Sequence, residues 1–347
     1  MGVKLKGLIS PSKIRLEELS GRSIAFDGNN ILYQFIAIIR GQSGEPLHDS
    51  SGRVTSHLSG LLYRNSNLVE AGIRVVYVFD GKPPDFKRQE IERRRTVRRE
   101  AEIQYRRAIE KGAVEEVRKY GQRAFTVTDT LVGESKTLLG LMGIPWIQAP
   151  SEGEAQSAYM AEKGDVWASG SQDLDSLLFR APRLVRNLSI TGRRKLPGKN
   201  VYLKIDPEMI ELRLVLDALG ISHEQLIDIG ILVGTDFNPE GVKGVGPKTA
   251  VSLIRKHGSI EKAVPFLKEA SFPYPVEEIK NVFLHPPVTD DYRISWHPPD
   301  EGGIVEFLCE THSFSRTRVQ SAIDKLFLGV KRQEKASTLD RWFRPDG

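Results

Sequence analysis

The chain has 347 residues, 39% of them hydrophobic, enough for one large α/β core with a smaller unit beside it. No apolar run is long enough to cross a bilayer, and the N-terminal MGVKLKGLIS lacks the apolar centre of a signal peptide. A single cysteine, Cys309, excludes an internal disulfide framework and a cysteine-based zinc site, so a soluble intracellular protein with a net charge of +5 is expected.

Alternating strand and helix patterns fill the first two thirds. Residues 23–27 read as a strand, followed by an apolar helix through ILYQFIAIIR. A helix over 55–71 leads to a strand over 73–80, and a helix over 129–142 to a strand over 144–148. A helix over 152–163 and a strand over 165–169 follow. This repetition predicts an α/β fold with a mostly parallel central sheet flanked by helices.

The segment 81–121 breaks the rhythm. It is helical by composition, rich in arginine and without a broad apolar face, so it should project into solvent or lie along a partner. A basic insertion of that length between two strands reads as a clamp or arch. From about 206 the pattern turns mainly helical, with DPEMIELRLVLDALG and SHEQLIDIGILVG read as two helices. The Pro-rich stretch 273–300 reads as irregular surface structure, and 331–347 as a polar tail with an apolar end.

Acidic residues sit just past several of the apolar runs. They are Asp27, Asp80, Glu152, Glu154, Asp173, Asp175 and Asp236. A buried strand that ends in an acid delivers a carboxylate to the sheet edge where open α/β folds bind ligands. Carboxylates gathered there would repel one another and take up protons unless divalent cations neutralised them. Such a group predicts a two-metal site, and hydrolysis of a phosphate ester is the chemistry that suits one. With those seven negative charges removed from +5, the rest of the molecule carries +12, a basic body suited to a polyanion. The competing explanations are local: helix N-terminal acids for Glu152 and Glu154, with Ser151 as the N-cap, and a solvated loop for Asp173 and Asp175.

Lys87 and Arg94 lie seven residues apart, two helical turns, and share a face of the basic helix. They either meet the scissile phosphate or belong to a solvated helix held by pairs such as Glu90–Arg94, which composition alone favours. Tyr33 either fills the core or stacks on a base, and periodicity favours core. The run Gly241-Val-Lys-Gly-Val-Gly-Pro-Lys248 reads as a helix-hairpin-helix turn. Its glycines Gly244 and Gly246 permit close approach of a DNA backbone, flanked by Lys243 and Lys248. In the tail, Leu339, Trp342 and Phe343 need somewhere to dock.

The stretches FDGNNILYQF, VTSHLSGLLYR, VYVFDGKPP, LMGIPWIQAPSEGEAQ, SQDLDSLLF, GTDF and GVKGVGPKTAVSLIRKHGSIE span nearly the whole chain. In that order the chain resembles flap structure-specific endonucleases of the archaeal and eukaryotic type, within the structure-specific 5′ nucleases. The resemblance implies a PIN-like nuclease core, with an N-terminal region over 1–98, an arch over 81–128 and an internal region over 116–258. The internal region includes the helix-hairpin-helix at 231–258; a C-terminal helical region over 259–330 and a tail over 331–347 follow. It implies that the seven acids hold two Mg²⁺ ions, replaceable by Mn²⁺, that Lys87 and Arg94 form a basic pair beneath the arch, and that Tyr33 stacks on the nucleotide at the cut. Thr55, Phe314 and Arg318 match a pocket for a one-nucleotide 3′ flap, where His48 stands in place of a glutamine found in some relatives. The hairpin would grip duplex DNA, often through a monovalent cation. Residues 339–347 match a sliding-clamp (PCNA) binding box, and Ala336 just ahead of them stands where the family motif begins with glutamine.

The implied activity is Mg-dependent removal of 5′ flaps from branched duplexes, with 5′–3′ exonuclease activity, by a monomer in DNA replication and repair. Two other readings remain at this level: a related 5′ nuclease acting on junctions or bubbles, and a catalytically inactive DNA-binding clamp adaptor.

Overall fold

The structure is a computed structural model that describes every residue except 1, 6, 85–86, 189–191, 196–201, 268–269 and 344–347. For 88–89, 192–195, 202–204 and 334–343 it describes the backbone alone. In chain order the first half holds β1 (Ser12–Lys13), β2 (Ser23–Asp27), α1 (Gly28–Ile38), α2 (Ser56–Glu70), β3 (Arg74–Phe79), α3 (Arg88–Glu110), α4 (Val114–Ala124) and α5 (Asp129–Leu141). Then come β4 (Trp146–Gln148), α6 (Gly153–Lys163), β5 (Ala168–Gly170), α7 (Asp175–Leu178), β6 (Arg183–Arg186), β7 (Gly192–Lys195), β8 (Tyr202–Ile205) and β9 (Glu208–Glu211). The remainder is helical: α8 (Leu212–Leu219), α9 (His223–Val233), α10 (Pro247–His257), α11 (Ile260–Ala263), α12 (Val276–Leu284), α13 (Glu301–Val305) and α14 (Arg316–Phe343).

The main sheet has the order β1-β9-β6-β5-β2-β3-β4. Its five strands from β6 to β4 run parallel, and β9 and β1 are added beyond β6 through antiparallel pairings. Side-chain alternation splits each central strand between two cores. Ile24, Phe26, Val75, Tyr77 and Phe79 face α1, α2, α5 and α14, whereas Ala25, Val76, Val78 and Ile147 face α6 and the segment around Tyr292–Trp296. A sheet covered on both faces tolerates continuous apolar strands, which is why RVVYVF carries no polar break. A third core, built from α6 to α12 with β6 and β9, forms the adjoining helical lobe.

Chain order runs outward from β2 to β3 and β4, then returns to place β5 and β6 on the other side of β2. That reversal creates a crevice at the carboxyl ends of β2 and β5, the place where such sheets bind ligands. The arch is a pair, α3 and α4, not one long helix; the chain turns at Gly112 with φ +63°. Its two helices share a small core of Tyr105, Ala108 and Val117 backed by Phe125.

Three expectations need correction. Residues 208–211 are a strand, because Glu208–Glu211 pairs with β6 on one side and β1 lies on the other before the helix begins at Leu212. Residues 276–284 of the Pro-rich stretch are helical, with Ile279 and Phe283 seated in the lobe core. The N-cap position of the helix following β4 is Glu152, not Ser151, since Glu152 is the last extended residue before it, and its side chain makes no capping hydrogen bond. The segment from 331 continues α14 to Phe343, but the side chains of Leu339, Trp342 and Phe343 and residues 344–347 lie outside the described residues.

Candidate active site

Asp27 is the last residue of β2 and also the N-cap of α1, accepting from the Asn30 backbone N–H at 3.0 Å. Asp80 directly follows β3 and accepts from the Gly153 N–H at 2.7 Å, at the start of α6. Glu152 and Glu154 lie at that same helix start. Asp173 and Asp175 follow β5, and Asp236 follows α9 from the helical lobe. All seven line one cleft of about 740 Å³, together with Tyr33, Lys87 and Arg94. The local explanation holds for the position of Glu152 and Glu154, which do lie at the start of α6, and Asp27, for which none was offered, also caps a helix. A capping acid and a cleft acid are the same residue here.

Each acid is held by a specific donor. The N–H of Gly2 donates to Asp173 Oδ1 at 3.0 Å and that of Val3 to Asp175 Oδ1 at 2.7 Å, while Asn30 Nδ2 donates to Asp173 Oδ2 at 2.8 Å. Ser176 donates twice to Glu154 Oε1, from its N–H at 3.1 Å and its hydroxyl at 2.7 Å. A Cβ on Gly2 would stand 2.6 Å from Asp173 Cβ, so the N-terminal segment passes where only glycine fits. Sequence reading missed Gly2, Val3, Asn30 and Ser176, whose contributions are mostly backbone or small-polar and leave no pattern to find.

Lys87 reaches into the acids, paired with Glu152 Oε1 and 3.2 Å from Asp236 Oδ2. Arg94 spans Glu90 at 2.7 Å and Asp236 at 2.8 Å, so the helix-surface pair and the site contact both exist. Tyr33 is 42% exposed on the cleft wall, not in the core, and its hydroxyl donates to the carbonyl of Gln122 at 2.8 Å. Val97, Arg98 and Arg123 extend the lining up the arch.

Electrostatics follow from this crowding. Burial, reinforced by Asp80 and Asp173, raises Asp27 well above the usual aspartate range, and burial with Asp175, Asp173 and Asp27 does the same to Glu154. Burial also raises Asp80 and Glu152, and with Asp236 and Asp173 lifts Asp175 to about 7. At Asp236 burial pushes upward, but Lys87 and Arg94 outweigh it and the carboxyl is lowered. Burial would lower Lys87, yet Glu152 and Asp236 hold it protonated above the usual lysine range.

The donor set suits a hard divalent cation. It consists only of oxygens, and no described group donates to the second oxygen of Asp27, Asp80, Glu154 or Asp175. As arranged, no three His, Cys, Asp or Glu side chains among the described residues stand close enough to hold an ion.

The other predicted residues lie elsewhere. Lys243, Gly244 and Gly246 sit in the turn leading to α10, which opens at Pro247 with Lys248 exposed in its first turn; Gly244 has φ +81°. Thr55 precedes α2, Phe314 lies two residues ahead of α14, Arg318 is in its first turn, and the loops beside them meet through Ser50 and Ser313 at 2.7 Å. The Arg318 guanidinium lies 5.3 Å over the Tyr63 ring.

Residues 1–101 match the XPG N-terminal domain and 143–236 the XPG I-region. A flap endonuclease 1 of Pyrococcus furiosus is 55% identical over 99% of this chain and 100% of its own. One from Thermococcus onnurineus is 54% identical over 99% of each. The chain belongs to the flap endonuclease family. The solved structure of flap endonuclease-1 from Methanococcus jannaschii superposes with a TM-score of 0.75 at 43% identity, covering 95% of this chain and all of that one. As a family member the protein is a metal-dependent nuclease, and neither the junction-resolving nor the inactive-adaptor reading is supported. No helix among the described residues is long and apolar enough to span a membrane.

Raised carboxyl values couple proton and cation binding. Asp175 contributes its proton-linked stability fully below an unfolded value near 3.9 and loses it as pH rises through about 7. Cations replace those protons, so stabilisation by Mg²⁺ relative to EDTA should be larger at pH 8 than at pH 6. Denaturant unfolding at the two pH values measures this; equal Mg²⁺ stabilisation at both would contradict the coupling.

Proposed function

We propose that the cleft hydrolyses a phosphodiester at the base of a 5′ flap on branched duplex DNA, using two Mg²⁺ ions held by the seven acids. The observation that carries this is the meeting of carboxylates from β2, β3, α6, the β5 exit and the helical lobe beneath a basic arch. When bound, the ions supply a deprotonated water and charge neutralisation at the leaving 3′ oxygen.

The protein's own groups do the rest. The main-chain N–H groups of Asn30, Gly153 and Val3 and the Ser176 hydroxyl each tie down one carboxylate oxygen and so fix which oxygen faces the cleft. Lys87 and Arg94, now paired with Glu152 and Asp236, exchange those partners for the scissile phosphate and stabilise charge that develops on it. Tyr33 presents its ring at the cleft wall, where a base can stack as its hydroxyl leaves Gln122. The turn leading to α10 offers open backbone at Gly244 and Gly246, beside Lys243 and Lys248, to a duplex phosphate, and a monovalent cation is proposed to join that contact. Thr55, Phe314 and Arg318 are proposed to receive a one-nucleotide 3′ flap, and the tail with Leu339, Trp342 and Phe343 to dock on a sliding clamp. Flap removal during replication and repair is the corresponding role.

Cleavage of one synthetic flap should vanish in EDTA and return with Mg²⁺. Asp173→Ala should bind that flap with near wild-type affinity yet cut it no faster than the EDTA control; a fully active mutant would remove Asp173 from the site. Lys87→Ala should lower the single-turnover rate by about 10²–10³-fold with a much smaller change in affinity. An unchanged single-turnover rate would rule out its transition-state role.

A further inference from the structure

Beneath Glu154 lies a chain of buried serines that metal binding and DNA contact leave unexplained. Ser157 from α6, Ser169 from β5 and Ser176 from α7 are all fully buried, in a core otherwise built from apolar side chains. Buried hydroxyls cost stability unless they are hydrogen-bonded, so three in a row call for a reason.

Their proton count gives one. Ser176 Oγ donates to Glu154 Oε1 at 2.7 Å, and Ser157 Oγ donates to the Glu154 main-chain carbonyl at 2.9 Å. Ser169 lies between them, 3.0 Å from Ser157 and 3.3 Å from Ser176, and its single proton goes to one of their lone pairs. Every hydroxyl therefore donates once, and both outer protons end on Glu154. With the Ser176 N–H at 3.1 Å, Oε1 accepts two donors, which leaves Oε2 for the cleft.

We propose that Ser176, backed by Ser169 and Ser157, is a positioning residue that sets the rotamer of Glu154 and thereby the affinity of the site for divalent cations. The inference rests on reading Glu154 as a metal ligand. Partners that orient a ligating carboxylate typically change metal affinity by about 10–100-fold when removed. Because the Ser176 N–H remains after truncation, the lower end applies.

The test is titration calorimetry of the full chain with Mn²⁺ alone, beside denaturant unfolding and flap-DNA binding in EDTA. Ser176→Ala should weaken Mn²⁺ binding about 10-fold, leaving unfolding and DNA binding in EDTA close to wild type. Ser176→Thr, which keeps the hydroxyl, should recover most of the affinity. Ser169→Ala leaves the direct bond in place and should weaken Mn²⁺ binding less; it decides the matter should Ser176→Ala fail to fold. Unchanged Mn²⁺ affinity in a folded Ser176→Ala, or in Ser169→Ala where that variant decides, would overturn the proposal. So would parallel losses of stability and DNA binding in EDTA, the mark of a structural role only. A wild-type chain that binds no Mn²⁺ would overturn the metal reading beneath it as well.

Discussion

Carboxylates crowded at one sheet edge repel one another, and the rest of this molecule is arranged around that repulsion. Apolar strands deliver the acids to the crevice beside β2, where burial disfavours their charged forms and raises Asp27, Glu154 and Asp175. Positive charge must come from outside the sheet. In the structure it comes from Lys87 and Arg94, whose helix is held over the cleft by contacts to Glu152 and Asp236. The same charges that hold the arch end to the site are those a phosphate would claim.

This gives the arch a double character. Its helices lack the apolar face of a core element, and their small cluster around Tyr105 and Val117 binds them mainly to each other. The contacts to the acids are polar and exchangeable, so cations and substrate compete directly for the groups that tie the arch down. Recognition of DNA backbone, neutralisation of the acids and placement of the arch are therefore a single electrostatic balance.

The sequence made much of this legible where apolar runs end in acids. Asp27, Asp80, Asp173 and Asp236 each follow such a run, and the structure brings all four to one cleft with Glu152, Glu154 and Asp175. Lys87 and Arg94 were visible as one face of a basic helix, but only the fold shows that Arg94 serves Glu90 and Asp236 at once. Tyr33 misled because α1 is apolar around it, while the cleft opens on that side. The strand at 208–211 was hidden by helix-forming residues, its pairing with β6 and β1 overriding their propensity. The donors to the acids were illegible, since Gly2 and Val3 act through main-chain N–H groups and Ser176 through a position unremarkable in sequence.

The central claim is that these carboxylates turn their unclaimed oxygens onto a pair of divalent cations. Diffraction from crystals soaked in Mn²⁺, recorded near the manganese absorption edge, tests it directly. Two anomalous peaks about 4 Å apart among Asp27, Asp80, Glu154 and Asp175 are the predicted result. An ordered cleft with no peak, its acids still held on Lys87 and Arg94 at saturating Mn²⁺, would contradict it.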